Sequence, residues 1–243
     1  MEVFLELDKF SGIKFREEDH SYFFNGKRCI SVTTLIENFK KPFEDSIAVK
    51  YAEKHGLEVE DVRNMWKSMG EESSSVGSEV HKYAENLFFN KHYTPEWNPR
   101  TDVLCRMIDK FYHESRFRLI PIRAELIVGD EALGLCGMVD KLFYNTVSQQ
   151  IEIWDYKTNK KIDKYSKYKK FMINGLNHLQ DCEFNKFSLQ LSAYKKIIEK
   201  NTNIKIGNSY ICWINEVNDT YKVLKTNFLS REVDIMFDSL IAA

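Results

Sequence analysis

The sequence predicts a mixed α/β fold, and three observations carry that expectation. Runs rich in β-branched and aromatic residues over 121–128, 137–144 and 151–157 follow one another across short polar connections, as antiparallel strands do. Helical periodicity brackets them at 102–115 and 186–198. Beyond these, strand-type runs at 206–217 and 221–228 extend the sheet, and 231–241 closes as a helix.

The N-terminal elements come first. Residues 13–36 run His20-Ser-Tyr-Phe-Phe, the turn pair Asn25-Gly26, then Lys27 to Val32, which is a hairpin signal, and Thr33 or Thr34 caps a short helix. From Ile47 to Ser68 the apolar residues, including Ala52, Val62 and Trp66, predict two helices broken near His55-Gly56. Ser73-Ser-Ser-Val-Gly77-Ser-Glu-Val-His81 reads as a serine-capped start of a further helix ending near Phe89. His81 lies inside that helix, where an isolated histidine is ordinarily a surface or core residue. The helix from Asp102 to Ser115 presents Val103, Met107, Ile108 and Phe111 as a buried stripe. Strand 121–128 then turns at Gly129-Asp130 into the next strand.

That strand and its partner form the centre of the chain. The polar stretch Asn145-Thr-Val-Ser-Gln149 joins Gly137-Met-Val-Asp140 to Ile151-Glu-Ile-Trp-Asp155-Tyr-Lys157. With the turn centred between Val147 and Ser148, facing residues sum to 295, so Asp140 lies opposite Asp155 with Cβ atoms about 5 Å apart. Lys157 shares their face. Opposed carboxylates repel, and a lysine relieves this only in part. A divalent cation held by oxygen ligands, Mg²⁺ or Mn²⁺, resolves the repulsion and engages phosphates. Taken by itself the hairpin fits equally an Asp140 that ends a strand and an ordinary Asp155–Lys157 ion pair. Glu125 joins the same side or stays a strand-edge charge, depending on the preceding turn.

After Lys157, lysines alternate with rings through Lys160, Lys161, Lys164, Tyr165, Lys167 and Tyr168. Such a run is commonly a solvated face. Its position beside the carboxylates favours contact with a nucleic-acid strand, ammonium groups meeting phosphates and rings stacking on unpaired bases. The helix over 186–198 puts Gln190 and Tyr194, four apart, on one face.

Composition sets the outer bounds. The chain has 243 residues, 43% of them hydrophobic, enough for one large domain or a core with an extra lobe. Four prolines and ten glycines are scattered without a linker, so 1–243 is expected as a single unit. The formal net charge of −1 means that affinity for nucleic acid has to come from a local patch. Five widely spaced cysteines, with no C-x-x-C pair, read as reduced core thiols. No signal-like N-terminus and no run of about 18 apolar residues are present, so an intracellular, soluble protein is expected.

The ordered set Gly77-x-x-x-His81, Gly137-x-x-Asp140, Asp155-x-Lys157 and Gln190-x-x-x-Tyr194 resembles the RecB-like branch of the PD-(D/E)XK nuclease superfamily. His20-x-Tyr, Ser31-Val-Thr33 and Leu189-Gln-Leu-x-x-Tyr194 resemble small phage-encoded and mitochondrial-type exonucleases of that branch, so the resemblance covers most of the chain. Serine at 78 replaces the commoner threonine, and Asp155 stands where many superfamily members carry glutamate. The resemblance implies a core of a helix, three antiparallel strands, a helix and a strand over 71–243, with 1–70 and the 158–185 insert as walls around the site. It implies that His81, Asp140, Asp155 and the Tyr156 carbonyl bind the metal, with Glu125 a further candidate ligand. Lys157 positions water, and Gln190 and Tyr194 orient the lysine or the phosphate. The implied activity is a Mg²⁺- or Mn²⁺-dependent DNA exonuclease leaving a 5′-phosphate and a 3′-hydroxyl, with DNA carrying single-stranded regions or free ends as partner and, for a phage protein, the bacterial cytoplasm as location. A structure-specific endonuclease and a non-catalytic DNA-end-binding module are the alternatives. Some relatives hold an iron–sulfur cluster through a C-terminal cysteine group; Cys182 and Cys212 do not make such a group, and no cluster is expected.

Overall fold

The computed structural model describes residues 2–89, 91–96 and 98–241. In chain order the elements are α1 (Glu2–Leu7), β1 (Ile13–Arg16), β2 (Ser21–Phe24), β3 (Lys27–Ser31), α2 (Val32–Glu37), α3 (Ser46–His55), α4 (Val59–Phe88) and α5 (Pro99–Ser115). They continue with β4 (Leu119–Asp130), β5 (Leu135–Asn145), β6 (Gln150–Lys157), α6 (Glu183–Asn201), β7 (Ile206–Trp213), β8 (Lys222–Lys225) and α7 (Ser230–Ile241). The fold is a mixed α/β arrangement around a mixed sheet.

The strand order is β1-β2-β3-β5-β6-β7-β8, with β4 paired to β5. β4 covers one edge of β5 along almost its whole length, from Leu119↔Asn145 to Asp130↔Leu135. The other edge is shared. β3 pairs parallel with its first residues, Ile30↔Leu135 and Ser31↔Cys136, and β6 pairs antiparallel with its last, starting at Lys141↔Trp154. The β5–β6 partners sum to 295, as the turn chemistry predicts, so a one-residue slip that would turn every side chain over is avoided. β7 lies parallel to β6 and β8 antiparallel to β7.

Alternation along these strands feeds two cores. Leu142 and Ile153 face one layer with α1, α2, α6 and α7, while Phe143, Trp154 and Tyr156 face the other with α4 and α5. A third, small cluster joins α3 to the start of α4 through Ala48, Ala52 and Val62.

Several expected boundaries move. The helix read as starting at Ser73 begins fourteen residues earlier: α4 runs 30 residues from Val59, and the serines lie in its middle. Serine favours caps but costs little inside a helix, and packing at both ends of α4 overrides the cap signal. Residues 67–75 are exposed on every side, which marks α4 as a helix bridging solvent between the α3 cluster and the sheet. α2 is capped by Ser31, whose hydroxyl accepts from the Thr34 N–H, and not by Thr33 or Thr34. The turn expected at Gly129-Asp130 lies at 131–134, because β4 stays paired to Asp130 and Gly134 supplies the left-handed φ of 57°. The Asn25-Gly26 turn is as expected, both residues at positive φ. Of the 158–185 insert the last three residues already belong to α6, while 158–182 carries no helix and one isolated bridge, Phe171↔Gln180, yet is anchored by buried Ile162, Met172 and Leu176 and by Ile173 donating to the Phe39 carbonyl.

Candidate functional site

The site lies where β3 and β6 part on the shared edge of β5. From Gly137 to Asp140 that edge has no ladder partner among the described residues. The side chain of Asp140 takes over instead, accepting from the Tyr156 N–H at 2.9 Å. Gly137 gives the reason for its own identity: a Cβ there would lie 2.4 Å from Cε1 of Tyr194. The ring of Tyr194 therefore lies directly on the strand, and its hydroxyl accepts from Gln190 Nε2 at 3.0 Å. Two separated sequence signals, Gly137-x-x-Asp140 and Gln190-x-x-x-Tyr194, are thus one packing unit. Gly77 differs, since a Cβ there would meet only Thr158 Oγ1 at an ordinary 3.6 Å.

His81, on the sheet-facing side of α4, brings its Nδ1 within 3.3 Å of Asp140 Oδ2 and its Nε2 within 3.1 Å of the Tyr156 carbonyl oxygen. Both ring nitrogens face acceptors. A neutral imidazole has a single N–H, so with Nε2 donating to the carbonyl the Nδ1 lone pair points at a carboxylate, and a cation between them removes the conflict. Glu125 completes the group: ligand atoms of His81, Glu125 and Asp140 all lie within 4.8 Å of one another. Glu125 sits between the pairs Ala124↔Lys141 and Leu126↔Val139, opposite Asp140, with a left-handed φ of 46°. Glutamate tolerates that conformation at a cost of about 1–3 kcal/mol, a strain that tends to collect at functional positions. Burial and the facing Asp140 charge push the Glu125 carboxyl up to about 8.

Asp155 is 1% exposed, and neither of its oxygens has a hydrogen bond of good geometry. Lys157 Nζ forms an ion pair with Oδ2 at 2.6 Å. Burial and the neighbouring Asp140 charge raise the Asp155 carboxyl to about 6, against the pull of Lys157. For Lys157, burial acts downward but is outweighed by Asp155 and Asp140, which hold the ammonium above its ordinary range. Glu152 on the same strand shows the contrast. It is equally buried, yet it receives Asn145 at 2.9 Å, Ser148 at 3.3 Å and Trp154 Nε1 at 3.1 Å. A buried carboxylate without such donors is costly unless something else answers it. An oxygen- and imidazole-lined group beside an orphaned carboxylate fits a hard divalent cation. Asp155 stands outside the 4.8 Å triad and borders it through Lys157 and Asp140.

Lys160, Lys161, Lys164 and Lys167 are exposed, and Tyr165 and Tyr168 are 75% and 73% exposed, so the whole run is available to a ligand. Two neighbours of the site escaped the sequence reading. Lys141 is 1% exposed with no partner for its Nζ, lies 5.1 Å from the Phe88 ring centroid and feels Glu125, Asp140 and Glu85; burial lowers it to about 8. A lysine in an apolar strand next to Asp140 was the available signal. Tyr22 of β2, the tyrosine of His20-x-Tyr to which the sequence assigned no role at the site, is the second, its phenol pushed up to about 12 by burial and by the nearby Cys136, Glu125 and Asp140. It lines a cavity of about 720 Å³ together with His20, Arg28, Ser31, Thr33 and Thr34.

No protein-family model matches the chain, and none of the curated proteins compared with it matches. Among solved structures, the crystal structure of SSO0001 aligns over 88% of this chain and 74% of that chain, at 13% identity and a TM-score of 0.33, a superposition too loose to support inference. No helix among the described residues is long and apolar enough to cross a membrane.

Proposed function

We propose that the protein is a divalent-metal-dependent nuclease of the RecB-like PD-(D/E)XK type that hydrolyses DNA with single-stranded regions or ends. The observation that carries this reading is the His81–Glu125–Asp140 group, half-buried at His81 and Glu125 and buried at Asp140, bordered by a buried Asp155 and the Lys157 held against it. His81, Glu125, Asp140 and Asp155, with the Tyr156 carbonyl, would hold Mg²⁺ or Mn²⁺, which supplies Lewis acidity and charge for a phosphate ester. Lys157 holds the attacking water and offsets charge on the phosphoryl oxygens. Tyr194, fixed by Gln190 and Gly137, keeps the wall of the site in place and orients Lys157 or the phosphate. Water oxygen bonds to phosphorus as the bond to the 3′ oxygen breaks, and the departing oxygen takes a proton, which leaves a 5′-phosphate and a 3′-hydroxyl.

The test is cleavage of end-labelled DNA with added Mg²⁺ or Mn²⁺. Asp140→Asn and Asp155→Asn are expected to abolish cleavage and to keep DNA binding, whereas His81→Ala should raise the metal concentration required. Full activity in either asparagine variant refutes the assignment. Binding without cleavage by the unaltered protein at any metal concentration would favour an end-binding module instead.

A further inference from the structure

Two cavities of about 390 and 330 Å³ adjoin one another on the α6–β8 side of the molecule and share Lys225 and Asn227 in their walls. The first is also lined by Lys164 and Tyr165 of the basic segment, the second by Lys195 and Phe228. Although the chain carries 36 acidic residues and a net charge of −1, no carboxylate lines either one. Glu232, near the first, is engaged by His178 at 2.8 Å. Tyr165 is 75% and Phe228 51% exposed, and Lys195 Nζ stands 4.4 Å from the Phe228 ring centroid. The remaining walls combine His178, Leu179, Phe184 and Gly207 with amides and hydroxyls that both donate and accept.

We infer that this groove is a binding track for single-stranded nucleic acid, separate from the metal group and leading to it. Spaced cations without acids suit a phosphate backbone, and exposed rings between them suit unpaired bases, which stack without regard to sequence. The groove reaches the metal group along α6. Lys164 Nζ lies 5.4 Å from the Phe184 ring and Lys157 Nζ 4.8 Å from the Phe187 ring, and residues three apart on a helix are neighbours about 5–6 Å apart at Cβ. The groove cation and the lysine of the metal group thus rest on adjacent rings of one helix. The nuclease reading enters only in saying what the track feeds.

The experiment measures fluorescence anisotropy of labelled oligo-dT, oligo-U and blunt duplex in EDTA, so that binding is scored without cleavage. Lys225→Glu should weaken single-strand binding at least tenfold. Lys195→Ala with Lys225→Ala should flatten the slope of log affinity against log salt by roughly 1.4, at about 0.7 for each phosphate contact. Phe228→Ala should cost at least about fivefold through lost stacking. Photo-crosslinked thymidines should map to peptides holding Tyr165 and Phe228. Unchanged affinity in both Lys225→Glu and Phe228→Ala, equal binding of blunt duplex, or equal competition by polyglutamate of matched charge would each overturn the track. Loss of cleavage with groove binding intact would count against the metal group alone.

Discussion

Glu152 and Asp155 are buried alike on β6, but Glu152 is met by three neutral donors whereas Asp155 has only the Lys157 ammonium beside it, and the difference predicts how the protein responds to metal. A ligand at 100 times its Kd that binds only the folded state stabilises it by about 2.7 kcal/mol. Mg²⁺ or Mn²⁺ should therefore raise the Tm of the unaltered protein and do little for Asp155→Asn or Asp140→Asn; an equal shift in all three would remove these carboxylates from the metal group. The pH dependence follows from Glu125, raised to about 8, and Asp155, raised to about 6. Between the ordinary carboxylate range and these values the folded state binds more protons than the unfolded state, so without metal stability falls as pH rises from about 4 to 8. Saturating metal, which requires the deprotonated carboxylates, should abolish that fall. Tm measured against pH in EDTA and in Mg²⁺ checks the sign, and a metal-free Tm that rises over this window contradicts it.

At the scale of elements, two glycines of the sequence motifs part company. Gly137→Ala drives a Cβ into the Tyr194 ring and should cost about 1–3 kcal/mol through overpacking, with reduced cleavage, as read by urea unfolding and activity. Gly77→Ala, mid-helix and uncrowded, should be neutral or gain about 0.5–1 kcal/mol. Equal losses at both sites would show that neither depends on contact with Tyr194. What was legible in the sequence follows the range of the interactions. The Asn25-Gly26 turn and the 145–149 connection are local, so both hairpins and the β5–β6 register could be read directly, although the ladder ends at Lys141↔Trp154, one pair short of Asp140 and Asp155. The start of α4 was not, because Ser73, Ser74 and Ser75 carry a local cap signal while the helix is held by Val62 at one end and Val76, Val80 and Ala84 at the other. The approach of His81 to Tyr156, 75 residues away, and the fork at β5 depend on long-range pairing that residue spacing does not encode. Lys141 follows Asp140 on its own strand, but Glu125 and Glu85, the other charges around it, come from β4 and α4 and are not encoded by that spacing.

For the whole molecule, the N-terminal hairpin and α3 on one side and the exposed run from Lys160 to Tyr168 on the other would flank a strand that has to enter by its end. Linear single-stranded DNA and tailed duplex should be degraded and single-stranded circles resist, with rapid cutting of circles excluding threading. Replacing Lys160, Lys161, Lys164 and Lys167 with alanine should flatten the salt slope by roughly two to three units if all four meet phosphates, and an unaltered slope makes the run a solvated face. The bare middle of α4 gives this layout an adjustable dimension. Over 67–75 every residue of the helix is exposed, so its length bears directly on the phase and reach of the α3 lobe, which the 38–45 segment also ties to α2. Each residue inserted there turns the lobe by about 100° and advances it about 1.5 Å, so a single insertion swings Trp66 and Phe43 to a new side while seven return them within about 20° and some 10 Å farther out. Cleavage of linear single strands should collapse with one inserted alanine and recover with seven, whereas identical activity in both would mean that the lobe takes no part in holding the strand. Recovery with seven would make α4 a ruler with a screw thread, the size of substrate admitted being open to change by insertion without altering any residue of the proposed metal group.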